Sequence, residues 1–300
     1  MPISLYPAIS RRRFIQTAIA AGTGHILAPR GLAASESAGG SPGGRWALVS
    51  DIHVPEDRRN VYRGFQPYDN FKAVVAQLQK AQPKGVVITG DIARLEGMPG
   101  DYANVQTLID PLRSTTSVYM CLGNHDDREN FLAALKDLPG ERQPVEDKYV
   151  NVVHTNGVRL VLLDSLLYVD RVAGLLGKNQ RTWLAEYLEK ADDRPTLLFV
   201  HHTLGDEDDE LLDADRMFAI VKPHKNVKAI VFGHSHAYEY DTENGIHLIN
   251  LPATGYNFSD DEPLGWVEAD ITTQGADLTL HVIGGNFEKD GETTSLTWST

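Results

Sequence analysis

The chain alternates short apolar runs with amphipathic stretches, and the spacing of each predicts an element. Trp46–Ser50 predicts a strand. Tyr68–Ala81 places Phe71, Val74, Val75 and Leu78 on one face and predicts a helix. Val86–Thr89 is a continuous branched run, the pattern of a strand buried on both faces. A helix follows over Tyr102–Leu112, disturbed near Pro111, then a strand over Val118–Leu122 and a helix over Arg128–Leu138. Lys148–Val153 and Val158–Asp164 flank Asn156-Gly157, a strong hairpin signal. Gln180–Lys190 predicts a helix, Thr196–Val200 a strand, Leu211–Val221 a helix and Val227–Phe232 a strand. Ala237–Asp241 and Ile246–Leu251 flank a second turn, Asn244-Gly245. Gly265–Thr272 and Asp277–Val282 predict the last strands. Strands and helices alternate first and hairpins follow, which points to an α/β fold in a single domain.

The polar residues are not scattered evenly over this pattern. Five apolar strands each stop at side chains that bind metals: Asp51-Ile-His53, Gly90-Asp91, Gly123-Asn-His-Asp126, His201-His202 and Gly233-His-Ser-His236. Sites in α/β sheets gather at the carboxyl ends of strands. Carboxylates, imidazoles and an amide brought together there make a metal site, and the lack of thiolates argues against a structural zinc knot.

These five blocks, in this order, resemble the calcineurin-like metallophosphoesterase family, over Asp51 to His236. The resemblance implies a four-layer α/β/β/α sandwich of two mixed sheets flanked by helices. It implies two transition-metal ions, such as iron, manganese, zinc or cobalt. Asp51, His53 and His236 would bind the first, Asn124, His201 and His234 the second, and Asp91 would bridge them. His125 would act beside the pair without ligating it, and Asp126 would hold or polarise His125. Asn124 and His125 are expected substrate contacts, and His202 is either a further substrate contact or a residue packed behind the ligands. The implied reaction is phosphate-ester hydrolysis by a metal-activated hydroxide. The layout is similar to class III cyclic-nucleotide and glycerophosphodiester phosphodiesterases, so diesters are expected ahead of monoesters. A phosphomonoesterase is the alternative, and a non-catalytic metal-binding module of the same fold a further one.

Composition narrows the partners. The 300 residues are 42% hydrophobic and carry a net charge of −13, which disfavours nucleic acid and anionic membranes and leaves a small phosphate ester as the expected substrate. The first 34 residues carry arginines and no acid. Ser10-Arg-Arg-Arg-Phe-Ile-Gln16, an Ala/Gly-rich run and Leu32-Ala-Ala34 have the three-part build of a signal peptide, and the arginines ahead of Phe14 resemble the twin-arginine class. The expectation is export by the twin-arginine machinery to the periplasm or outside the cell, without a stable membrane anchor. Residues 35–44 read as a flexible linker, 45–285 as the phosphoesterase domain and 286–300 as a tail.

Several residues invite a plainer reading. Cys121, the single cysteine, sits in an apolar run and reads as a buried thiol. His154, His224, His247 and His281 read as ordinary core or surface histidines. His201 and His202 are adjacent on a strand and face opposite ways, so only His201 is assigned to the metals. Arg94 follows Asp91 by three residues, where the purple acid phosphatases place a tyrosine ligand, and this argues against a purple-type centre. The acidic run Asp206–Glu210 is either a solvated loop or a rim of the site. Tyr256, Asn257 and Phe258 either line a pocket or pack a loop.

Overall fold

The structure, a computed structural model, describes residues 44–155 and 157–299. The leader read over 1–34, the linker residues before Gly44, and Asn156 of the first turn lie outside the described residues. Two sheets carry the fold. The first has the order β13-β12-β11-β1-β2-β3 and the second β4-β5-β6-β7-β8-β10-β9. In the first sheet β1 (Gly44–Val49), β2 (Gly85–Thr89) and β3 (Ser117–Cys121) are parallel. β11 (Pro263–Ile271), β12 (Gly275–Gly285) and β13 (Thr293–Thr297) continue it antiparallel. In the second, β6 (Arg159–Leu162), β7 (Thr196–Phe199), β8 (Val227–Phe232) and β10 (Ile246–Asn250) are parallel. β4 (Glu141–Arg142), β5 (Asn151–His154) and β9 (Glu239–Glu243) pair antiparallel at its edges.

Alternation along single strands shows the layers directly. Val86 and Ile88 of β2 join the core under α1 (Pro67–Ala81), α2 (Pro99–Arg113) and α3 (Arg128–Ala134), whereas Val87 faces the second sheet. Leu197 and Phe199 of β7 enter that same inter-sheet core, whereas Leu198 packs under α4 (Gly177–Lys190) and α5 (Ala214–Val221). A period of two therefore buries both faces of each sheet, and the expected four-layer sandwich is the observed fold. Cys121 lies in the inter-sheet core, where burial pushes its thiol up.

Some boundaries differ from the sequence reading. The helix read from Tyr102 starts at Pro99 and continues through Pro111, which forgoes one i→i−4 hydrogen bond, and ends two residues later at Arg113. The helix read over Arg128–Leu138 ends at Ala134, and the one read from Leu211 starts at Ala214 because Leu211 bridges to Gly174. The second hairpin turns at Asn244 and Gly245, both at positive φ, as its sequence requires. The tail read over 286–300 is a correction: Thr293–Thr297 forms β13 on the edge of the first sheet, and Trp298 is buried between the sheets. No helix among the described residues is long and apolar enough to cross a membrane.

Candidate metal centre

The five ligand-bearing segments follow the C-terminal ends of β1, β2, β3, β7 and β8. These are parallel strands, three in one sheet and two in the other, so their ends meet along one edge of the sandwich. The chain turns sharply at each end. Asp51, His53, Asp91, His234 and His236 all adopt positive φ, a conformation disfavoured for residues with a Cβ. Backbone bonds hold the turns: His53 N–H donates to Asp91 O at 2.9 Å, and Gly233 N–H to His201 O at 2.9 Å. Strain concentrated at five residues of one cluster marks a functional edge.

The side chains converge. Asp51, His53 and His236 bring one ligand atom each within 4.8 Å of one another, and so do Asp91, His201 and His234. His236 Nε2 lies 3.3 Å from Asp51 Oδ1 and 3.2 Å from His53 Nε2. Asp91 stands between the two groups: Oδ2 is 3.7 Å from His53 Nε2 and Oδ1 is 3.3 Å from His201 Nε2. Asn124 Oδ1 and His234 Nδ1 each lie 3.3 Å from His201 Nε2. All seven residues expected as ligands are therefore in one place.

The remaining ring nitrogens are committed elsewhere. His201 Nδ1 donates to Thr89 O at 2.8 Å, His236 Nδ1 to Tyr256 O at 2.6 Å and His53 Nδ1 to Arg94 O at 3.4 Å. His234 reverses the pattern: Nε2 donates to Asp209 O at 3.0 Å and Nδ1 faces the cluster. Such outer bonds fix ring orientation and leave the inner nitrogen a lone pair. Asp51 Oδ2 accepts from Ser50 Oγ at 2.5 Å and from His234 N–H at 3.1 Å, while Oδ1, fully buried, has no hydrogen-bond partner. A bare carboxylate oxygen among inward-facing imidazoles fits a divalent cation, and the oxygen and nitrogen donor set suits transition metals.

Electrostatics point the same way. Burial pushes the Asp51 carboxyl up, but the His236 and His201 imidazoles outweigh it and hold it well below the usual carboxylate range. Asp91, likewise raised by burial, is held well below by His201 and His125. Burial pulls His53 down to about 3 and His234 down to about 4. At His201 burial is overcome by Asp91 and Asp51, which push it up to about 9. Ionised Asp51 and Asp91 and neutral His53 and His234 are in the protonation states that metal ligands need, whereas His201, held cationic by the two carboxylates, would release a proton on taking up a cation.

His125 sits at the open side of the cluster. Its Nδ1 donates to Leu95 O at 2.8 Å, with Asp170 Oδ1 3.7 Å away, and its Nε2 lies 4.0 Å from Asp91 Oδ2. Asp126, expected to hold or polarise His125, forms no bond to it. Its carboxylate accepts from the N–H groups of Gly123 (2.9 Å), Ala93 (3.0 Å) and Ile92 (3.2 Å), and from Tyr102 Oη (3.1 Å). The reason is local: a carboxylate three residues after Gly123 reaches back to that N–H and closes the turn. Asp126 therefore positions the loops after β2 and β3, and the carboxylate beside His125 is Asp170, from a loop the sequence did not single out.

Of the two readings of His202, substrate contact or support behind the ligands, its position fits the second. It is fully buried, with Nδ1 2.7 Å from Ser165 Oγ and its ring 4.7 Å from that of His234, so it has no surface on which to contact a substrate. It packs behind His234. Around the rim, Tyr256 packs 4.6 Å from His53, and Phe258, half exposed, stacks 4.4 Å from His236. The Arg94 guanidinium lies 4.3 Å above the Tyr62 ring. Glu207, Asp208 and Asp209 border a cavity of about 530 Å³ with Tyr168 and Arg171, and the acidic run touches the cluster through the Asp209 carbonyl, which accepts from His234 Nε2 at 3.0 Å.

Residues 44–238 match the calcineurin-like phosphoesterase family, and the chain belongs to it. It is a phosphoric ester hydrolase of a family that uses divalent metal ions. A glycerophosphodiester phosphodiesterase of Enterobacter lignolyticus is 29% identical over 217 residues, 69% of this chain and 76% of that protein. A 3',5'-cyclic-nucleotide phosphodiesterase of a Nostoc species is 26% identical over 220 residues, 71% of this chain and 79% of that one. Among solved structures, a dimetal phosphatase from Danio rerio superposes with a TM-score of 0.66, covering 86% of this chain and all of that one at 17% identity, a likeness of fold alone.

Proposed function

We propose that the chain holds two metal ions and hydrolyses phosphodiesters. Asp51, His53 and His236 hold the first ion, Asn124, His201 and His234 the second, and Asp91 bridges them. The observation that carries this reading is the position of Asp91, whose two oxygens face different imidazoles at 3.7 Å and 3.3 Å. Two cations there would neutralise the phosphoryl oxygens and supply a hydroxide nucleophile. The chain's own residues do the rest. His125 is held by Leu95 O with its Nε2 turned to the cluster, where a protonated ring can donate to the leaving oxygen. Asn124 contributes a neutral oxygen, which adds no charge against an anionic ester. Asp126 keeps the Gly123–Asp126 turn closed, and His202 backs the His234 ring.

The preference for diesters rests on the relatives named as cyclic-nucleotide and glycerophosphodiester phosphodiesterases. Manganese-loaded protein should hydrolyse bis(p-nitrophenyl) phosphate faster than p-nitrophenyl phosphate. The reverse order would make it a monoesterase, and hydrolysis of neither would contradict the proposed diesterase reading. Export by the twin-arginine route completes the proposal and rests on residues 10–34 alone.

A further inference from the structure

Aromatic rings wall the cluster on the side of His53 and His236. Tyr256, buried, packs 4.6 Å from His53 and 4.8 Å from His236. Two further rings pack against Tyr256 and reach solvent. Tyr62 meets it edge-on at 4.6 Å and is 38% exposed. Phe258 lies 5.7 Å from Tyr256, stacks on His236 at 4.4 Å with 28° between their planes, and is 51% exposed. Both rings are held in place by their own segments. Tyr62 and Phe65 exchange two backbone hydrogen bonds of 2.9 Å, and the Arg94 guanidinium lies 4.3 Å above the Tyr62 ring. Next to Tyr62, Arg63 Nε donates to Asn257 O and its Nη2 to Phe258 O, each at 2.9 Å. Arg63 makes these bonds at a φ of 54°, a conformation disfavoured for a residue with a Cβ. The clamp ties the segment that carries Tyr62 to the one that carries Phe258.

Large apolar rings left in water beside a polar centre mark a surface that a ligand covers. Distance decides which ligand. Phe258 lies directly on the His236 ring, whose Nε2 faces the cluster, so a group esterified to a phosphorus at the cluster comes within reach of it. Aromatic rings gain more from a flat aromatic partner, stacked or edge-on, than the buried area alone provides. We propose that Phe258 and Tyr62 are specificity-determining residues, a shelf that takes a flat aromatic ring carried on the phosphorus in preference to a small alkyl or polyol group. The inference rests on the reading that the metal pair holds the phosphorus, and it adds which ester group the site selects.

The test is calorimetric titration of the manganese-loaded protein with phenylphosphonate and methylphosphonate, which share the phosphorus acid group and differ in the ring. Phenylphosphonate should bind about tenfold more tightly to the unaltered protein. In Phe258→Ala, and in Phe258→Leu, which keeps apolar bulk without a flat ring, that preference should fall below about threefold, while methylphosphonate affinity and bound manganese stay within about twofold. Equal binding of the two phosphonates by the unaltered protein would overturn the proposal. So would a parallel loss of both in Phe258→Ala, which would make Phe258 a buttress of His236 only. An undiminished preference in the variants, with a changed sedimenting mass, would assign the rings to a contact between copies of the chain and would equally overturn it. Binding of neither phosphonate would remove the metal reading and the shelf with it. An intact preference without hydrolysis of bis(p-nitrophenyl) phosphate would sink the diesterase reading and uphold the shelf.

Discussion

Asp91 Oδ2 faces His53 and Oδ1 faces His201, so one carboxylate serves both halves of the cluster. Asp91→Ala should therefore lower the content of both metals together, as elemental analysis would show. Loss of one metal with the other retained would mean that Asp91 is not shared. His125→Ala should leave metal content intact and lower turnover by roughly 10²–10⁴-fold, the usual scale for a proton-transfer group. Metal loss in that variant would make His125 a ligand. Gly123→Ala makes a sharper demand, because an added Cβ would stand 2.2 Å from Asp91 Oδ1 and 2.5 Å from its backbone nitrogen. The carboxylate must shift, and activity should fall with metal affinity. The ligand residues were legible because each follows an apolar strand. Asp170 and the carbonyls of Leu95, Tyr256 and Asp209 were not, since backbone oxygens and loop residues carry no residue-type signal until the chain is folded.

Loops after β2 and β3 are tied to each other by Asp126 and to α2 by Tyr102. Asp126→Asn replaces a carboxylate that accepts several N–H bonds with an amide that has one accepting oxygen. It should cost about 1–3 kcal/mol, read as a lower unfolding midpoint in denaturant. An unchanged midpoint would show that these bonds do not hold the loops. At the other end of the sandwich, β13 brings Trp298 into the inter-sheet core. Trp298→Ala should cost about 3 kcal/mol, the scale of a large buried side chain, while metal content stays the same. Strand existence was readable from apolar runs, whereas β13, with Thr293, Thr294 and Ser295, has too little apolar character to be distinguished from a tail. Partnering was unreadable altogether: β1 pairs with β11, more than 200 residues on, and nothing local specifies this.

At the scale of the whole molecule, two sheets packed face to face bring the carboxyl ends of five parallel strands to one edge, and the cluster is a product of that alignment. The four-layer architecture was legible through the family's five blocks, not through periodicity alone, because periodicity gives elements and not their order. Export belongs to this scale too. Arg12→Lys with Arg13→Lys should leave unprocessed protein in the cytoplasm, and unaltered processing and export would remove the twin-arginine reading. The most direct test of the two-metal account is anomalous diffraction from crystals grown with manganese. It predicts two peaks roughly 3.5–4 Å apart, one on each side of the Asp91 carboxylate. A single peak, or none among these side chains, would contradict it.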